Sequence, residues 1–117
     1  MPSHPVVARI IRHSLTGVAI ALLVSACGPA YQAPPMDARF KKLSPSPQPQ
    51  LERGFVVHQE KCAKCHPFED PAAYQPADLE FKIMPVMARK SKIDAADEKA
   101  VLAYLLAARQ LPRPDQP

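Results

Sequence analysis

The chain has 117 residues, including 15 prolines and three cysteines, and a formal net charge of +4 from 15 basic and 11 acidic side chains. That length holds one small domain, and the modest charge, with no basic stripe interleaved with aromatics, excludes a nucleic-acid partner. A core drawn from fewer than about 80 residues supplies only a few kcal/mol, so a cofactor, metal or disulfide staple is expected.

Residues 1–26 read as an export signal: Arg9, Arg12 and His13 form a basic head, and 15–24 is an almost wholly apolar run, too short to span a bilayer comfortably. The run ends at Val24-Ser25-Ala26-Cys27, which resembles the lipobox of bacterial lipoproteins. The resemblance implies cleavage before Cys27 and acylation of Cys27, hence a lipid-anchored protein on the periplasmic side of a bacterial membrane. Gly28 rather than Asp follows the cysteine, which leans the location toward the outer membrane. An ordinary cleaved signal and an uncleaved anchor are the alternatives. Lipidation of Cys27 leaves Cys62 and Cys65 as the remaining pair, so no disulfide framework is available. Loss of Arg9 and Arg12 with the signal leaves 13 basic against 11 acidic residues.

From 27 to 50 the chain is rich in proline, with Pro34-Pro35 and then Ser44-Pro45-Ser46-Pro47-Gln48-Pro49. Such a composition favours extended polyproline II geometry and reads as a disordered, semi-rigid stalk between the lipidated cysteine and the folded part.

The spacing of Leu51, Gly54, Val57 and His58 predicts a helix over 51–61 that runs into Cys62. Pro67, Pro71, Pro76 and Pro85 then punctuate a segment of turns with at most a short helix near 76–83. The last helix is the clearest. Asp94 is its N-cap, Asp97 and Glu98 lie in its first turn where the helix dipole favours negative charge, and Ala100, Val101, Tyr104, Leu105 and Ala108 share one face. Arg109 lies near its end and Pro112 blocks continuation. No alternating strand pattern occurs, so the fold class is all-α.

Cys62-Ala63-Lys64-Cys65-His66 carries the chemistry. Two thiols spaced in this way add across the vinyl groups of a haem, and the following imidazole is an axial ligand for its iron. A thioredoxin-like redox pair requires a βαβ setting that is absent, and a zinc site would have to draw four ligands from His58, Cys62, Cys65 and His66 in awkward local geometry.

The flanks of the motif resemble the class I c-type cytochromes: Gly54 lies eight residues before Cys62, and Ala103-Tyr104-Leu105 sits in the final helix. In that family a glycine on the N-terminal helix crosses closely against an aromatic on the C-terminal one. The resemblance covers 51–108 and implies a cytochrome c domain over 51–111, with N- and C-terminal helices packed around one covalently bound haem c and a flexible tail over 112–117. It implies Cys62 and Cys65 as the covalent attachment points, His66 as axial iron ligand and a methionine as the second. Met87 stands 17 residues before Tyr104, the spacing of the mitochondrial members, and is favoured; Met84, in a Met-Pro pair common among bacterial members, is the alternative. His58 falls where the family packs an aromatic and is poorly placed as a ligand. Pro71 or Pro76 is a candidate carbonyl partner for His66, and Tyr74 for a haem propionate. Only about twenty residues separate Cys65 from the methionines, fewer than in most members, which implies a more exposed haem.

The function so implied is electron transfer, without catalytic residues, by a membrane-tethered carrier between redox proteins such as a dehydrogenase, reductase or oxidase. Two alternatives stay open: a haem domain whose sixth ligand is labile and which binds or senses small ligands, and a noncatalytic subunit of a larger redox complex.

Overall fold

The computed structural model describes residues 30–113. The signal over 1–26, Cys27 and residues 114–117 lie outside the described residues. Within them there is no strand, and no helix is long and apolar enough to cross a membrane. The helices are α1 (Phe40–Leu43), α2 (Gln48–Lys61), α3 (Pro76–Asp78), α4 (Met84–Ser91) and α5 (Ala95–Ala108). Tight three-residue turns fall at Cys62–Lys64 and Pro71–Ala73.

Helices of about 14 residues are marginal alone in water, so α2 and α5 depend on packing against each other. Gly54 permits it. A Cβ at that position would enter the Ala100 carbonyl and stand 2.9 Å from the Tyr104 Cβ. Leu51 and Val57 of α2 meet Val101, Tyr104, Leu105 and Ala108 of α5 in one core, which Met84 of α4 joins. Helix α5 begins as the sequence requires: the Asp94 carboxylate accepts the Asp97 amide at 2.8 Å, and Arg53 of α2 reaches Asp97 at 2.8 and 3.0 Å.

Over its described residues, 30–50, the proline-rich segment departs from the extended stalk expected over 27–50. Phe40 is fully buried and stacks on Tyr104, ring centroids 5.5 Å apart, while the Tyr104 hydroxyl donates to the Pro34 carbonyl at 2.7 Å. Helix α2 begins at Gln48, three residues before the expected start, with proline in its first turn where a missing N–H is harmless. The reason is a set of apolar anchors: Phe40, whose burial stabilises by about 1.5–3 kcal/mol, with Met36 and Leu43 packed beside it. At the other end, Leu111 belongs to the core, and Arg113, expected in the flexible tail, is ion-paired with Asp70 and lies over the Tyr31 ring at 5.1 Å.

The short helix expected near 76–83 is part of a longer helical run that continues to Ser91. Its middle turn, Leu79–Ile83, is widened, with the Met84 amide donating five residues back to Leu79. Pro85 has no N–H and its ring would crowd the carbonyl four residues earlier, and a wide turn just before it accommodates both effects. Lys92 ends the run in a left-handed conformation (φ 54°), its amide donating to the Ala88 and Arg89 carbonyls.

Candidate functional site

A cavity of about 350 Å³ opens between the carboxyl end of α2, the run 76–91 and α5. That volume lies within the range of small-molecule sites, about 300–1,000 Å³. His58, Cys62, Cys65 and His66 line it from α2 and the turn that follows. Leu79, Ile83, Met84 and Met87 come from the helical run, and Val101 and Leu105 from α5. Residues 79, 83, 84 and 87 share one side of this run, which is the side that faces the cavity.

Cys62 is half-buried and Cys65 exposed, and both are free thiols. Burial pushes the Cys62 thiol up, partly offset by a hydrogen bond with Ser91. A nucleophilic redox thiol requires the opposite shift, so the thioredoxin-like alternative finds no support at Cys62. Among the described residues, no three His, Cys, Asp or Glu side chains are grouped so as to hold a metal ion. The donor set for a zinc site is therefore missing there.

His66 is exposed, and its Nδ1 lies 2.8 Å from the Pro67 carbonyl. A carbonyl only accepts, so Nδ1 carries the proton and donates, which leaves the Nε2 lone pair free. The partner is thus Pro67, neither Pro71 nor Pro76. Those two carbonyls are used locally, accepting the amides of Tyr74 and Leu79. The Tyr74 hydroxyl is likewise engaged, donating to Glu69, and that bond raises its pKa.

Met84 and Met87 both reach the cavity but differ in environment. Met84 is 2% exposed and belongs to the core cluster with Leu51, Val57 and Val101, whereas Met87 is half-buried and outside that cluster. The structure also brings in His58, which the sequence placed as a packing residue only. Its ring is 6% exposed, stacks on Phe68 at 4.2 Å and lies 5.6 Å from the Tyr104 ring. Burial pushes its pKa down to about 4, and its Nδ1 has no partner. The available signal was position: His58 precedes Cys62 by one helical turn, and its carbonyl accepts the Cys62 amide.

The site therefore presents two thiols, one imidazole with a free Nε2 and two thioethers to one largely apolar chamber, without a grouping among the described residues that would hold a bare metal ion. No protein-family model, curated protein or solved structure matches the chain.

Proposed function

We propose that this chain is a small monohaem c-type cytochrome, exported and lipid-anchored through Cys27, that carries electrons between redox proteins such as a dehydrogenase, reductase or oxidase. The observation that carries this reading is the convergence of Cys62, Cys65 and His66 with Met84 and Met87 on one apolar cavity. These residues fit a haem on chemical grounds. The porphyrin itself supplies four iron ligands, so the chain has to offer only two, and His66 Nε2 with one methionine sulfur meets that need without a cluster of acidic or thiolate donors.

Each residue then has a defined task. Cys62 and Cys65 would hold the group through thioether bonds. The Pro67 carbonyl fixes the tautomer of His66 and the direction of its free nitrogen, as outer partners of ligating histidines do. Met87 is the favoured sulfur ligand, because Met84 is committed to packing in the core. When bound, the haem supplies a one-electron Fe(II)/Fe(III) couple, at a potential raised by His/Met ligation. Leu79, Ile83, Val101 and Leu105 would give the group apolar walls.

Docking of the proline-rich segment changes how such a domain would be tethered. Only residues 28–33 separate Cys27 from Pro34, whose carbonyl is held by Tyr104. Seven steps of extended chain reach at most roughly 25 Å. The domain would therefore ride close to the membrane surface instead of swinging on a long stalk, within reach of membrane-bound partners.

Absorption spectra of the protein expressed with its export signal test the reading. Covalently retained haem, with a weak near-infrared sulfur-to-iron band that Met87→Ala abolishes and Met84→Ala leaves, is the expected result. The reverse pattern moves the ligand to Met84. A high-spin spectrum that shifts promptly on adding carbon monoxide to the reduced protein would replace electron transfer by ligand binding, and absence of covalent haem would end the cytochrome reading.

A further inference from the structure

We infer that Arg113 is a positioning residue for the cavity: paired with Asp70, it holds segment 68–74 in place as one wall of the chamber and so governs how far water reaches the group bound there. The inference rests on the haem reading above and adds to it a residue that does not itself line the cavity.

Segment 68–74 has little of its own to fix it. It contains no strand and no helix beyond the single turn Pro71–Ala73, and Pro71 lacks an N–H with which to bind a neighbour. Its own hydrogen bonds are local. The Asp70 carboxylate accepts the Ala72 amide at 2.7 Å, the Asp70 and Pro71 carbonyls accept the amides of Ala73 and Tyr74, and the Tyr74 hydroxyl donates to Glu69. Such bonds shape the turn without setting where it lies. Yet Glu69, Pro71 and Tyr74 line the cavity, and Pro71 is buried.

Two hydrogen-bonding side chains reach the segment from elsewhere among the described residues, and both come from the carboxyl end of the chain. Arg113 is ion-paired with Asp70 at the start of the turn, and Arg109, the residue that follows α5, donates to the Tyr74 carbonyl at its end, 3.2 Å away. The turn is thus gripped at both ends, while the stack of Phe68 on His58 anchors only the beginning of the segment. One carboxylate, that of Asp70, both shapes the turn through Ala72 and ties it to Arg113. The side chains of Asp70 and Arg113 are 29% and 13% exposed, so salt screens this pair less than the open pairs Asp37–Arg39 and Asp78–Lys82. The Arg113 guanidinium also lies over the Tyr31 ring at 5.1 Å, which fixes it against the docked amino-terminal segment.

The test uses the full haem-loaded chain as wild type, Arg113→Gln, Arg113→Lys, Asp70→Asn and the double variant Asp70→Asn with Arg113→Gln, with haem retention verified in each by a denaturing gel stained for haem. Asparagine keeps an oxygen that accepts the Ala72 amide, so Asp70→Asn removes the ion pair and leaves the turn its cap. Amide hydrogen exchange at Ala73 and Tyr74, whose acceptors are backbone carbonyls present in every variant, is expected to rise about tenfold or more in Arg113→Gln and in Asp70→Asn. The reduction potential is expected to shift downward with it, because water at the loosened wall favours the more charged ferric form. Arg113→Lys, which keeps the charge without the planar fork, is expected to recover part of both effects, and the double variant to do no more than either single one. Unchanged exchange in Arg113→Gln, faster exchange with an unmoved potential, or additive effects in the double variant would overturn the inference while leaving the cytochrome reading intact. A chain that retains no haem would overturn both the inference and that reading.

Discussion

The Tyr104 hydroxyl donates to the Pro34 carbonyl at 2.7 Å, joining the middle of the last helix to a residue 70 positions earlier in a proline-rich stretch. The bond works with an aromatic stack, Phe40 lying nearly parallel to the Tyr104 ring (13°) and Phe55 meeting it edge-on at 5.5 Å. The amino-terminal segment is thus a third wall of the core formed by α2 and α5. Tyr104→Phe is expected to destabilise by about 1 kcal/mol, because it leaves the Pro34 carbonyl without its donor. Phe40→Ala, which empties a fully buried site, is expected to cost about 3–5 kcal/mol. Urea unfolding of the two variants checks both values, and near-equality with wild type in Phe40→Ala would show the segment to be undocked in solution.

Gly54→Ala tests the helix crossing. Alanine is about 1 kcal/mol better than glycine within a helix, so propensity alone favours the change. The added methyl carbon would instead overlap the Ala100 carbonyl and press on the Tyr104 Cβ, and backbone can yield only by moving α2 away from α5. Overpacking of this kind costs about 1–3 kcal/mol or more. A net loss of stability in thermal unfolding, despite the gain in helix propensity, is the expected outcome.

What could be read from the sequence and what could not divides by the range of the interactions. Asp94 as N-cap follows from a rule that acts within one helix, whereas the Gly54–Tyr104 crossing is legible only through the family resemblance; both are present. The association of Cys62, Cys65 and His66 is local and legible in the sequence, whereas the cavity they share with Met84 and Met87 depends on packing between distant elements. The docking of Phe40 is not legible because the ring stands alone among charged neighbours, Arg39, Lys41 and Lys42, in a proline-rich stretch. The widened turn before Pro85 was hidden because a proline ordinarily signals a break, and only the geometry shows that the helix absorbs it. The unpaired nitrogen of His58 is not legible in the sequence, because it is a property of surroundings built by Phe68 and Tyr104 and not of position in α2.

Lys92 offers a prediction with the opposite sign. It caps α4 with φ 54°, a left-handed conformation that strains any residue bearing a Cβ, and its amide closes the end of the helix. Glycine adopts that conformation without strain. Lys92→Gly is therefore expected to stabilise by up to about 1 kcal/mol, provided the exposed Lys92 side chain makes no offsetting contact. A raised urea midpoint with an unchanged slope would confirm it, whereas a lowered midpoint would show that the unfolded chain's added freedom outweighs the strain relieved.

The last prediction concerns acid. Burial holds the folded-state pKa of His58 near 4, below the ordinary value of about 6.5 for an exposed histidine. Between these values the unfolded chain binds a proton that the folded chain excludes. Stability must then fall as pH is lowered from about 6.5 toward 4, and the contribution is flat above that window. The full shift corresponds to roughly 3 kcal/mol at the acid end, an upper figure for a ring that keeps some access to the cavity. In His58→Phe this component is absent, so the difference in unfolding free energy between wild type and variant should move in the variant's favour as pH falls through the window. Parallel stability profiles for the two proteins between pH 7 and pH 4 would show that His58 titrates in the folded chain as it does in the unfolded one, and that its burial is not maintained in solution.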